Sequence, residues 1–146
     1  MPKVIRLQNP NALASPEFRA FLKRSVQRGA LISLDDLLQG LGQRLSDPNF
    51  AVLVGIEDGQ FQGLVLLGLP TSVWQPAPYI YHFYNGGKAD LRDALIAATV
   101  DFVVQAGYTK FLAVNLTDRD FKAWAKTFQK AGKATELGRL VEFEVG

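Results

Sequence analysis

The chain has 146 residues, 48% of them hydrophobic and 21% charged, with a formal net charge of +2. That size and composition fit one domain able to bury its own core. The absence of cysteine excludes disulfides, zinc–thiolate sites and cysteine nucleophiles, and nothing in the sequence points to a metal site.

Residues 1–48 carry seven basic and four acidic groups, 49–109 two and five, and 110–146 seven and five. A polarity this mild does not argue for a nucleic-acid partner. The first residues lack the apolar core of a signal peptide, and no apolar run reaches transmembrane length. The expectation is a soluble, cytoplasmic protein with no membrane partner.

In chain order, Lys3–Leu7 alternates as a short strand, and 8–14 reads as a loop. Ser15-Pro16 is a helix start, a capping hydroxyl before a first-turn proline. Phe18, Phe21, Leu22 and Val26 follow at helical spacing, and Gly29 closes the helix. Ser33 with Asp36 opens a second helix, whose face is Leu34, Leu37, Leu38, Leu41 and Leu45. Gly40 and Gly42 weaken its last turns.

Phe50–Ile56 and Phe61–Leu69 are strands joined by Glu57-Asp58-Gly59-Gln60, a hairpin signal. Both are apolar on both faces, as in a sheet covered on each side. Gly55, Gly63 and Gly68 suggest bulges. A proline-rich loop, 70–78, carries Trp74.

Residues 79–115 organise the rest. Tyr79–Tyr84 is an aromatic strand. Strict alternation puts Ile80, His82 and Tyr84 on one face and Tyr79, Tyr81 and Phe83 on the other. Asn85-Gly86-Gly87-Lys88 breaks the strand, and Asp90–Gln105 is a capped helix. Leu91, Ala94, Leu95, Ala98 and Phe102 line one side of it, widened by Ile96, Val100, Val103 and Val104. Lys110–Val114 is another strand, ending at Asn115. A glycine turn feeding a helix N-terminus suits a phosphate, because backbone N–H groups and the helix dipole meet there. The same glycines also suit a plain tight turn.

Arg119–Ala131 reads as an amphipathic helix, with Phe121, Trp124, Ala125 and Phe128 inward. Arg119, Lys122, Lys126, Lys130 and Lys133 lie opposite, a face suited to solvent or to an acidic group. Leu140–Val145 alternates as a last strand. The order β, α, α, β, β, β, α, β, α, β predicts a single α/β (α+β) domain spanning 1–146, with one mixed, mostly antiparallel sheet and helices on both faces.

That order resembles the GNAT superfamily, the GCN5-related N-acetyltransferases. The motif-level resemblance lies in residues 79–133. Tyr84-Asn85-Gly86-Gly87-Lys88-Ala89 is similar to the end of the family's acetyl-CoA loop, with Tyr84 where Gln or Arg is expected. Arg92 aligns with the family's basic residue after the loop in another register. Asn115 follows the fifth strand as in the family, and Phe128-Gln129-Lys130-Ala131-Gly132 follows the spacing of its closing motif. Phe128, however, stands where many members carry the tyrosine that protonates the departing thiolate.

The resemblance implies transfer of an acetyl group from acetyl-CoA to an amine, with acetyl-CoA as cosubstrate and a homodimer as one assembly. Gly86, Gly87, Lys88 and Ala89 would meet the pyrophosphate. Asn115 and Phe83 would flank the pantetheine arm. A backbone N–H from Ile80–Phe83 would face the oxyanion. His82, the only histidine, is the candidate base or else a structural residue. Tyr84 and Tyr81 could bind substrate or water, or only pack. Glu57 lies where some members place a carboxylate base, or is a solvated turn residue. Trp74 could cover the substrate or pack under its loop. A non-catalytic GNAT-fold domain used for protein contact is the alternative.

Overall fold

The computed structural model describes residues 1–26, 33–114, 120–132, 134–137 and 143–145. Its centre is the hairpin of β2 (Phe50–Glu57) and β3 (Gln60–Gly68). Asp58 and Gly59 form the two-residue turn with φ of 54° and 75°. Both values are left-handed, the conformation that matches the twist of paired strands. β1 (Lys3–Arg6) and β4 (Tyr79–Asn85) flank the hairpin antiparallel, and β5 (Leu112–Ala113) adds to β4 in parallel. The described sheet runs β1-β2-β3-β4-β5.

One face carries α1 (Pro16–Val26) and α2 (Leu34–Arg44). The two predicted caps form: Ser15 Oγ accepts from the Phe18 N–H at 3.3 Å and Ser33 Oγ from the Asp36 N–H at 3.2 Å. Helix α2 continues through Gly40 and Gly42, because Leu37 and Leu41 hold it on the core. Phe18, Phe21, Leu22, Leu37, Leu41 and Leu45 pack against Val52, Val54, Leu64, Leu66 and Tyr84.

The other face carries α3 (Ala89–Gln105) and α4 (Phe121–Ala125). Leu91, Leu95, Ile96 and Val103 pack on Ala51, Leu53, Val65, Leu67 and Ile80. No described helix is long and apolar enough to cross a membrane.

Several local expectations change. Within the predicted loop 8–14, Pro10–Ala14 is a 3₁₀ helix, because the Asn9 side chain caps the Asn11 N–H and Pro10 suits the first position. Helix α3 has no side-chain cap at Lys88, and Val104 points out. The helix predicted over 119–131 stays α-helical only to Ala125, capped by Asp120. It then tightens into a 3₁₀ helix, Lys126–Ala131, with Phe128 at φ −104° and ψ 16°. Residues 140–142 of the predicted last strand lie outside the described residues. Phe143–Val145 form no strand, for alternation without a paired neighbour does not make one.

The glycines act mainly by close approach. A Cβ on Gly55 would lie 2.7 Å from Leu91, and one on Gly63 2.6 Å from Leu95. The two glycines face each other across the hairpin, so α3 settles into a notch in the sheet. A register shift does lie at Gly55/Ile56. Gly63→Ala should therefore destabilise by about 1–3 kcal/mol through overpacking. Leu95→Ala alone should cost about 2–5 kcal/mol. Urea unfolding of the double variant should show less than the sum, because the deleted leucine vacates the space the new methyl needs.

Candidate active site

Strand β4 positions the candidate residues, and a bulge decides where they point. Leu66 pairs with His82 and Leu67 with Ile80, so Tyr81 is an extra residue. The bulge breaks the strict alternation expected from the sequence. Ile80 joins the α3 face, not the face of Tyr84. Tyr81 lies over Gly68, stacks between Phe50 and Tyr79 at 6.2 and 5.5 Å, and remains 53% exposed.

β5 pairs only with Tyr79 and Ile80. Among the described residues, no strand covers the β5 side of β4 from Tyr81 onward. This is the stretch expected to supply an oxyanion donor.

His82 is buried beside the backbone of Ser25 on α1. Its Nε2 meets no hydrogen-bond partner among the described residues. Burial pushes its pKa below the ordinary 6.5, and the Ser25 bond opposes that shift. The imidazole is therefore mainly neutral at pH 7.

Tyr84 packs on Phe21 at 6.0 Å, and its hydroxyl lies beneath the glycine turn, 2.5 Å from where a Gly86 Cβ would be. Phe83 points to the opposite face, edge-on to Phe128 at 4.9 Å. Phe128 is buried and also meets Trp124 at 5.2 Å. Trp74 is 89% exposed, so it does not pack under its loop.

The glycine turn joins β4 to the N-terminus of α3. The Gly86 N–H donates to the Gln62 carbonyl at 2.7 Å, and the Gly87 N–H to the Asn85 side chain at 3.0 Å. The Lys88 N–H donates to the Glu57 carboxylate at 3.1 Å. A Cβ on Gly87 would lie 2.8 Å from that carboxylate and 2.9 Å from Leu91. The turn thus fits an anion in kind, since it holds one. It fits a pyrophosphate only when Glu57 leaves Lys88.

The sequence considered Glu57 as a base or a turn residue. It missed this contact, which spans 31 residues and follows from strand pairing. Arg92 lies 3.4 Å from Asp93, and Lys130 lies 2.9 Å from the same carboxylate. The Lys130 hydrogen bond holds that carboxyl below the usual range, with both cations adding to the effect. Asn115, Arg119 and Lys133 lie outside the described residues. No group of three or more His, Asp or Glu side chains among the described residues could hold a metal ion.

The architecture is matched by solved structures of acetyltransferases. An aminoglycoside 6'-N-acetyltransferase from Acinetobacter baumannii is 14% identical, with TM-score 0.69 over 100% of this chain and 99% of that one. A ribosomal-protein-alanine N-acetyltransferase from Brucella melitensis biovar Abortus is 21% identical, with TM-score 0.67 over 99% and 100%. A GNAT family acetyltransferase from Staphylococcus aureus is 13% identical, with TM-score 0.65 over 98% of each chain. No protein-family model and no curated protein matches the sequence. The chain has the fold of the GNAT superfamily of acetyltransferases.

The pKa of His82 has a consequence for folding. A lowered folded pKa means that the unfolded chain binds the proton more readily. Stability should be full above about pH 6.5 and fall as the pH drops from there through the lower folded value. His82 is the only histidine, so urea midpoints from about pH 7.5 to 5 isolate it. His82→Asn should flatten that slope whatever its effect on absolute stability.

Proposed function

We propose that this domain is an acyl-CoA-dependent N-acetyltransferase acting on an amine by direct transfer. The observation that carries this reading is a pair of features at one end of β4. Among the described residues no strand pairs with the β5 side of β4 from Tyr81, and the turn that follows directs the Lys88 N–H at a carboxylate.

Gly86, Gly87, Lys88 and Ala89 would hold the pyrophosphate, with Phe83 and Asn115 flanking the pantetheine arm. Acetyl-CoA supplies the activated acetyl thioester. Backbone N–H groups of β4 beyond its pairing with β5 would stabilise the oxyanion that develops on the acetyl carbonyl. His82 Nε2, neutral and without a described partner, would accept the proton lost by the attacking amine, directly or through water. Tyr84 would steady the turn from beneath.

The neighbours named above act on an aminoglycoside and on a ribosomal-protein alanine. Their sites share an amine nucleophile, which sets the acceptor class proposed here. A second reading, a GNAT-fold domain used for protein contact, is favoured by Phe128. Its ring is buried against Phe83 and Trp124 and carries no hydroxyl for a departing thiolate.

Acetyl-CoA at 100 times its dissociation constant should stabilise the fold by about 2.7 kcal/mol and raise the melting temperature by several degrees. His82→Ala should slow amine acetylation by about 10²-fold or more while leaving acetyl-CoA affinity unchanged. A melting temperature indifferent to millimolar acetyl-CoA would leave the protein-contact reading standing.

A further inference from the structure

Glu57 ends β2, where its backbone pairs with Gln60 at the hairpin turn. Pairing of β3 with β4 brings this end of the hairpin beside the glycine turn. The carboxylate lies against Gly87, so close that any Cβ there would sit 2.8 Å from its Oε1, and accepts the Lys88 N–H at 3.1 Å. No described cation lies within ion-pair distance of it. Its favourable contact is with the turn amide and the positive end of the 17-residue helix α3.

We propose that Glu57 is a built-in competitor for the diphosphate of the cosubstrate, occupying the Lys88 amide until the nucleotide displaces it. The inference rests on the acetyl-CoA reading above. Two anions cannot share one amide, and their charges repel at that distance. Tethering to the hairpin gives the carboxylate a high effective concentration at the turn. Binding of a diphosphate therefore requires the Glu57 side chain to swing away. The side chain is only partly buried, so it has an exit to solvent. The acetylated pantetheine arm alone makes no demand on Lys88 and is indifferent to Glu57.

The test measures dissociation constants by calorimetry for acetyl-CoA and for S-acetylpantetheine, which lacks the diphosphate. The proteins are the full chain and its Glu57→Ala and Glu57→Gln variants. Acetyl-CoA should bind Glu57→Ala about tenfold tighter, the scale of one charge-assisted hydrogen bond. Glu57→Gln should show a smaller gain, because it keeps an acceptor and loses the charge. S-acetylpantetheine should bind all three proteins alike. Without ligand, the Lys88 amide should exchange its hydrogen faster in Glu57→Ala. Equal acetyl-CoA affinity in the parent and in both variants would overturn the competitor while leaving the cosubstrate reading intact. Absence of acetyl-CoA binding in all three would overturn both. If Glu57→Ala fails to fold, Glu57→Gln decides: an unchanged affinity there overturns the proposal.

Discussion

The architecture depends on how closely helix α3 approaches the sheet. Leu91 and Leu95 enter a notch that exists because Gly55 and Gly63 face each other across the hairpin without side chains. Interiors are close-packed, so this contact sets how near the helix can lie to the sheet. The helix N-terminus is fixed with it, and so is the turn from Gly86 to Lys88. Leu91 touches both regions: it fills the notch at Gly55 and bounds the turn at Gly87. Core packing and the geometry of the candidate anion site therefore share one side chain.

The second constraint is the bulge at Tyr81. One extra residue in β4 turns Ile80 toward α3 while His82 and Tyr84 face α1. Sequence alternation sorts these residues wrongly, because a bulge is set by pairing with β3 and leaves no mark in the local pattern. The same irregularity lies where the partnership of β4 with β5 stops, at Ile80 and Ala113. Bulges bend strands and raise their twist, which suits an edge that parts from its neighbour. The buried His82 and the stretch of edge that no described strand covers both lie on this irregular strand.

Element order and type were legible because Ser15-Pro16, Ser33 with Asp36 and Asp58-Gly59 are local signals with local causes. Each forms the expected cap or turn. The glycines of β2 and β3 show the limit of such reading. They look like bulge markers, yet their main reason is the approach of Leu91 and Leu95 from a helix some thirty residues away. The helix ending near Ala131 shows another limit. Phe121, Trp124 and Phe128 keep an amphipathic pattern, but packing Phe128 on Phe83 comes with a tightened final turn. At the candidate site, the histidine and the glycine turn could be named from the sequence. The partners that define their chemistry, Ser25 and Glu57, are remote in the chain and could not.

At Gly86 and Gly87 any side chain would force its neighbours to shift before any ligand is considered. A side chain at Gly86 would strike the Tyr84 hydroxyl, and one at Gly87 would strike both Glu57 and Leu91. The glycines therefore do not by themselves argue for a phosphate. The stronger argument is the direction of the Lys88 amide and the nature of what it holds. A carboxylate without a described cationic partner settles on this amide because the helix end is positive there. The intramolecular anion and the proposed nucleotide would exploit the same field. The two preceding amides are served by neutral acceptors, the Gln62 carbonyl and the Asn85 side chain. At the third amide the acceptor is charged, as in a carboxylate cap of a helix N-terminus.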